Sequence, residues 1–234
     1  MSGKSPESAL KVIIGDVCLA LLMPNAKILR TLRFHYREYL TDAQADIVIN
    51  AQEAVHVERP LESNVLMRGL SWELYQKDGE LGIYFLHETN PSLAIFNARI
   101  NRIDFFSRRL NPSLFLCLLP ELVLGLTLHL HNALLVHACG LIINNTGCLF
   151  VAASGGGKST LARLANKAGF TLLNDDRVII RVSQGISAMH STPWHGEVRQ
   201  TSNIAIPLGY VFFLEKSNRI SIAPVNISMS PYLK

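Results

Sequence analysis

Residues Cys148-Leu149-Phe150-Val151-Ala152-Ala153 lead into Ser154-Gly155-Gly156-Gly157-Lys158-Ser159-Thr160, and Leu161-Ala162-Arg163-Leu164-Ala165-Asn166-Lys167-Ala168 follows with a helical pattern. An apolar strand, a glycine loop and a helix in immediate succession form the layout that cradles a nucleotide triphosphate. Glycines let successive backbone N–H groups converge on phosphate oxygens, and the helix adds its positive end. Lys158 is placed to reach the β- and γ-phosphates, and the Ser159 hydroxyl to ligate Mg²⁺. Ser154, Gly155, Gly156, Gly157 and Thr160 complete the expected phosphate contacts. Ala152 stands where such loops usually begin with glycine, which leaves the phosphate-facing glycines intact. The plainer alternative is a glycine turn before a basic helix.

Working outward, Gly169 supplies a helix C-cap and Phe170 to Asn174 reads as a strand ending in Asp175-Asp176. A helix from Lys158 to Ala168 would run roughly 16 Å. The strand returns about the same distance at roughly 3.3 Å per residue. Asp175 and Asp176 are therefore expected back at the level of the glycine loop. One carboxylate there can hold Mg²⁺ and the other can accept a proton from an attacking hydroxyl. The alternative is a pair of solvated carboxylates in a turn.

Upstream, Leu134 to Ile143 and Cys148 to Ala153 flank the turn sequence Asn144-Asn145-Thr146-Gly147. The strand feeding the loop is then one arm of a hairpin, unlike the parallel-sheet strand of ordinary P-loop enzymes. A four-residue loop pairing Ile143 with Cys148 would set His137 opposite Ser154, beside the glycine loop. A histidine satisfied within an apolar strand is the competing reading. Farther on, Glu197 is a second candidate magnesium partner and Arg199 a candidate phosphate neutraliser. His129 and His131 lie two apart on an expected helix and point to different faces, so no metal reading is made for them.

The chain has 234 residues, 49% hydrophobic and 17% charged, which suits one large or two small globular domains. A net charge of +4 without a long basic run indicates no nucleic-acid footprint. Cys18, Cys117, Cys139 and Cys148 form no CxxC pair and read as reduced thiols, pointing to a cytoplasmic protein. Leu114 to Leu128 is apolar but carries Pro120 and Glu121, so a buried core helix is expected rather than a membrane span.

Residues 1–110 read as a small α+β module. Val12 to Leu22 is expected as a strand, Ala26 to Tyr39 as a helix opened by Pro24, and Ala45 to Asn50 as a second strand. Residues 51–69 look like loop. Trp72 to Phe85 alternates about Asp78-Gly79, a hairpin signal, and Ala94 to Phe106 adds strand, with a hairpin through Asn101-Arg102. Residues 111–234 carry the glycine loop.

Three elements together resemble the catalytic domain of HPr kinase/phosphorylase and its bacterial relatives: Val136-His137-Ala138, Ser154 to Ser159, and Leu173-Asn174-Asp175-Asp176-Arg177-Val178. The steps of 21 residues from His137 to Lys158 and 17 on to Asp175 match that family, and Glu197-Val198-Arg199 is similar to its Glu-x-Arg element. The likeness covers about residues 132–225. It implies an α/β fold, a P-loop kinase core of the HPr kinase and phosphoenolpyruvate carboxykinase type. ATP and Mg²⁺ would serve phosphate transfer to a serine. By position it implies Asp175 as the base, His137 as its assistant and phosphate partner, and Lys158, Ser159, Asp176 and Glu197 as holders of nucleotide and metal. Gln200-Thr201-Ser202-Asn203 lacks the glycine-rich continuation of true HPr kinases, and the chain ends before their C-terminal docking helices. A small protein or peptide serine other than HPr is the expected acceptor, with no nucleic-acid or membrane partner and a homo-oligomer among the states the family allows. A P-loop hydrolase and a non-catalytic ATP-binding module are the alternatives.

Overall fold

A computed structural model describes residues 9–198 and 202–224. The protein is a mixed α/β structure, 42% strand and 20% helix, so its strands rather than its helices set the architecture. Among the described residues no helix is long and apolar enough to cross a membrane.

The chain opens with β1 (Ala9–Ile14) and β2 (Val17–Leu22), joined at Gly15-Asp16 with φ of +59° and +60°. The expected single strand from Val12 to Leu22 is thus a hairpin, because two consecutive left-handed residues form the turn that suits strand twist. The next element, α1 (Ala26–His35), is capped by Asn25, whose Oδ1 accepts the Lys27 and Ile28 N–H groups at 2.9 and 3.2 Å. Then come β3 (Ile47–Glu53), β4 (Asn64–Arg68), β5 (Trp72–Lys77), β6 (Glu80–Phe85), β7 (Ser92–Phe96) and β8 (Arg102–Ser107). The β5–β6 hairpin turns at Asp78-Gly79 as expected, with both residues at positive φ. The β7–β8 pair is also a hairpin, turning over residues 97–101. These strands form one sheet in the order β1-β2-β3-β8-β7-β6-β5-β4. β4 lies in the stretch read as loop; it is an edge strand with no buried residue, so it has no apolar alternation to betray it.

The expected core helix after Pro112 is two helices, α2 (Pro112–Leu116) and α3 (Leu118–Thr127). Pro120 has no N–H for the Leu116 carbonyl four residues back, and the chain breaks at Cys117. The freed carbonyls find other donors. The Tyr36 hydroxyl donates to Phe115 O at 2.7 Å and Leu116 O at 3.0 Å, and the Trp194 indole N–H donates to Leu116 O at 3.0 Å.

The second sheet contains β9 (Ala133–Ile143), β10 (Thr146–Val151), β11 (Thr171–Asn174), β12 (Arg177–Ser183), β13 (Ile186–His190) and β14 (Ala205–Phe213), with α4 (Lys158–Lys167) between β10 and β11. β10 lies between antiparallel β9 and parallel β14. The pairings β9–β12–β13–β14–β10–β9 close on themselves. Ala138, Leu149, Leu173, Val178 and Met189 pack together as one apolar cluster, and Cys139, Leu141, Leu172, Ala162 and Ala165 as another, which holds α4. The largest core draws residues from Leu10 to Trp194, so the helices α2 and α3 share apolar contacts with both sheets.

The β9–β10 connection differs from the expected four-residue loop. Ile143 pairs with Thr146 across Asn144-Asn145, whose φ values of +48° and +60° make a tight two-residue turn. Leu141, not Ile143, is opposite Cys148, and the ladder ends at Ala138–Val151. His137 is therefore not paired across from Ser154; its register partner is Arg177 on β12.

Candidate active site

The loop from Ala152 to Gly157 rises from β10 and turns into α4. Gly155 and Gly157 adopt φ of +72° and +106°, which side-chain-bearing residues rarely take. At Gly156 an added Cβ would lie 2.7 Å from Ala152 Cβ and 2.9 Å from Ala153 O, so this position needs glycine for space. The first turn of α4 has no acidic residue, and no side chain caps it. Ser154, Ser159 and Thr160 are exposed on the loop and this first turn. Lys158 folds inward, 6% exposed, and its Nζ donates to the carbonyls of Ala152 at 2.7 Å and Ala153 at 3.3 Å. Among the described residues this buried ammonium meets loop carbonyls and no carboxylate, so its charge is not neutralised by an ion pair.

The aspartate pair lies beside β9. After a bulge near Leu172, Asn174 pairs with Gly140 and Arg177 with His137, so Asp175 and Asp176 fall opposite Cys139 and Ala138. The Ala138 N–H donates to Asp176 O at 3.2 Å. Asn174 fixes the local turn: its Oδ1 accepts the Asp176 and Arg177 N–H groups at 2.9 Å each, and its Nδ2 donates to Thr192 O and Trp194 O.

The two carboxylates have different surroundings. Asp175 is 4% exposed, and its Oδ1 and Oδ2 accept the backbone N–H groups of Gly196 at 2.6 Å and Val198 at 2.8 Å. Asp176 is partly open. Its Oδ1 lies 3.1 Å from His137 Nε2 and accepts the Arg177 Nη1–H at 2.8 Å. Arg177 Nε in turn donates to Glu121 Oε1 on α3 at 2.6 Å, completing a row Glu121–Arg177–Asp176–His137.

Charge couples these groups to the glycine loop. Burial, then the Lys158 ammonium and Arg177, hold the His137 pKa below its usual value, and the opposing pull of Asp176 and Glu121 does not offset them. The Cys139 thiol is pushed up to about 12 by burial, with Asp175 adding to the rise and Lys158 opposing it. Lys158, Asp175, Asp176 and His137 therefore share one electrostatic neighbourhood.

Glu197 is not drawn into that row; it is exposed and meets Arg163 of α4 at 3.5 Å. Among the described residues no three or more His, Cys, Asp or Glu side chains form a group that would hold a metal by themselves. Ser159 is exposed and Asp176 partly open, so each keeps oxygen lone pairs that a cation could share with phosphates and water, the usual arrangement for Mg²⁺. Arg199 lies outside the described residues.

Asn174, Arg177 and Glu121 are the site residues that sequence reasoning did not single out. The asparagine directly before Asp-Asp is an Asx-turn signal, and Glu121 is the lone acid in an otherwise apolar helix. No protein-family model matches the chain, and no curated protein matches it.

Proposed function

We propose that the chain is an ATP- and Mg²⁺-dependent serine kinase related to HPr kinase, with residues 111–234 as its catalytic unit. The observation that carries this reading is that Lys158, at the end of the glycine loop, shares one charge neighbourhood with Asp175, Asp176 and His137. ATP with Mg²⁺ would supply the transferable phosphoryl group and neutralise charge developing on it. Gly155 and Gly157 would turn N–H groups toward the phosphates, while the Gly156 N–H donates to Ala153 O at 3.0 Å and holds the loop in shape. Lys158 exchanges two carbonyl partners for phosphate oxygens. Ser159 and Asp176 are the oxygen ligands offered to the cation.

The proton of an attacking serine goes to the aspartate pair. Each Asp175 oxygen keeps a lone pair beyond the bond it accepts from the 196–198 loop, and that loop fixes its orientation. His137, 3.1 Å from Asp176 Oδ1, assists through that neighbouring carboxylate. The acceptor is a serine in a small protein or flexible peptide, recognised through the N-terminal α+β module.

Incubation with γ-labelled ATP, Mg²⁺ and candidate small proteins tests this. Labelled phosphoserine that disappears with Lys158→Ala is expected. Steady release of free phosphate without an acceptor would replace the kinase by a hydrolase. Tight ATP binding with no turnover would leave a nucleotide-binding module.

A further inference from the structure

A polar cleft of about 520 Å³ opens at the start of α2 and is lined by His87, Thr89, Asn90, Arg108, Arg109 and Asn111. Arg108 and Arg109 are exposed, and among the described residues neither guanidinium meets a carboxylate. Of the nearby acids, Glu53 is engaged by backbone, its Oε1 accepting the Leu110 N–H at 3.2 Å, and Glu88, between His87 and Thr89, is exposed and does not meet either arginine. Two adjacent, unpaired arginines in a concavity form a fork suited to oxyanions.

The walls are fixed before any ligand arrives. Asn90 Oδ1 accepts the Arg109 N–H and Asn90 Nδ2 donates to Arg109 O, both at 3.0 Å. His87 Nδ1 accepts the Asn90 N–H at 3.1 Å and the Thr89 N–H at 3.3 Å, which leaves Nε2 as the ring's donor in its neutral form. The charged side chains therefore project from a braced loop, which lowers the ordering cost of binding.

The cleft is also tied to the candidate active site. α2 has five residues and spans about 7.5 Å. Its first residue, Pro112, lines the cleft, and its last, Leu116, accepts the Trp194 indole N–H. Two residues beyond Trp194, Gly196 donates to Asp175.

We propose that this cleft docks an acidic segment of the acceptor protein, an assignment that rests on the kinase reading. The Arg108 and Arg109 guanidiniums take its carboxylates, and His87 Nε2–H adds a donor. An extended chain covers roughly 3.3 Å per residue, so the acceptor serine lies some residues away along the same segment.

Calorimetry with an end-blocked hexaglutamate peptide at low salt tests the cleft, with hexalysine as the control. Hexaglutamate should bind and hexalysine should not. Arg108→Glu with Arg109→Glu should weaken hexaglutamate roughly tenfold or more, with ATP affinity unchanged. The milder pair Arg108→Gln and Arg109→Gln gives the same reading if charge reversal unfolds the chain. No hexaglutamate binding, or binding indifferent to both pairs, would overturn the proposal. So would inorganic phosphate binding where the peptide fails, which would make this a small-anion site. A parallel ATP titration of the unaltered protein separates the two readings. Absence of ATP binding removes the kinase, whereas the peptide titration alone decides the cleft.

Discussion

His137 Nε2 lies 3.1 Å from Asp176 Oδ1, yet the histidine's pKa is lowered rather than raised. Burial and the nearby Lys158 and Arg177 cations outweigh the carboxylate. The pair is thus a neutral imidazole donating to a carboxylate, with Nδ1 left as an acceptor. Because the folded pKa lies below the unfolded value, the unfolded chain binds this proton first as pH falls. The contribution to stability is full above the unfolded pKa of about 6.5 and is lost as pH drops toward the folded value. NMR of the His137 ring in the nucleotide-free protein should give a midpoint under 6.5. A midpoint above 7 would mean that Asp176 governs the ring after all.

Lys158→Ala should weaken ATP far more than adenosine, since the lost group addresses phosphate. A charged hydrogen bond is worth about 1.5–3 kcal/mol, or roughly tenfold to a hundredfold in affinity. Equal ATP affinity in variant and parent, measured by calorimetry, would remove the glycine loop from the phosphate site.

Gly156→Ala should damage the same loop for a different reason. Its Cβ would lie 2.9 Å from a backbone carbonyl oxygen, which cannot move without the loop. ATP affinity should fall by roughly tenfold or more, while thermal unfolding stays close to the parent's because the loop lies outside the main core. Unchanged affinity would show that the loop geometry is not the binding geometry.

Asp175 anchors the 196–198 loop as well as serving the proposed chemistry. Asp175→Ala leaves two N–H groups without their carboxylate and should cost about 3 kcal/mol or more in urea unfolding. Asp175→Asn keeps the shape and one good acceptor, so it should fold better yet lose phosphate transfer by roughly 10²–10⁴-fold with ATP binding retained. If Asp175→Asn transferred at the parent rate and Asp176→Asn did not, the base would be Asp176.

The elements nearest the glycine loop were legible because local chemistry dictates them: three glycines, a helical run, Gly169 as a stop, then a short apolar strand. Helix α4 and β11 follow that reading within a residue or two. The register of His137 was not legible, because Asn144-Asn145-Thr146-Gly147 supports either a two- or a four-residue turn. Two left-handed asparagines decide it in favour of the shorter turn. Nor was the closed ring of strands readable, since closure depends on β14 pairing with β10 from far along the chain. The Glu121–Arg177 contact spans 56 residues and joins a helix to a strand, so nothing in local sequence announces it.

That contact yields the last prediction. Glu121 Oε1 takes the Arg177 Nε–H at 2.6 Å, with both side chains only about a quarter exposed or less. Its other oxygen, Oε2, accepts the Cys117 thiol at 3.4 Å, and the Cys117 pKa is pushed up to about 12 by burial first and by Glu121 second. Glu121→Gln should therefore do two things at once. It should cost about 1–3 kcal/mol in stability, because Arg177 keeps Asp176 but loses its better partner. It should also lower the Cys117 pKa, so that more thiolate is present at a given pH and alkylation of Cys117 quickens. Cys117 keeps solvent-exposed surface although its thiol is packed against Glu121, whereas Cys18, Cys139 and Cys148 are buried, so peptide mapping after brief alkylation reads the effect directly. Unchanged stability together with an unchanged Cys117 rate would show that Glu121 does not hold Arg177 in solution, and that α3 does not reach the row ending at His137.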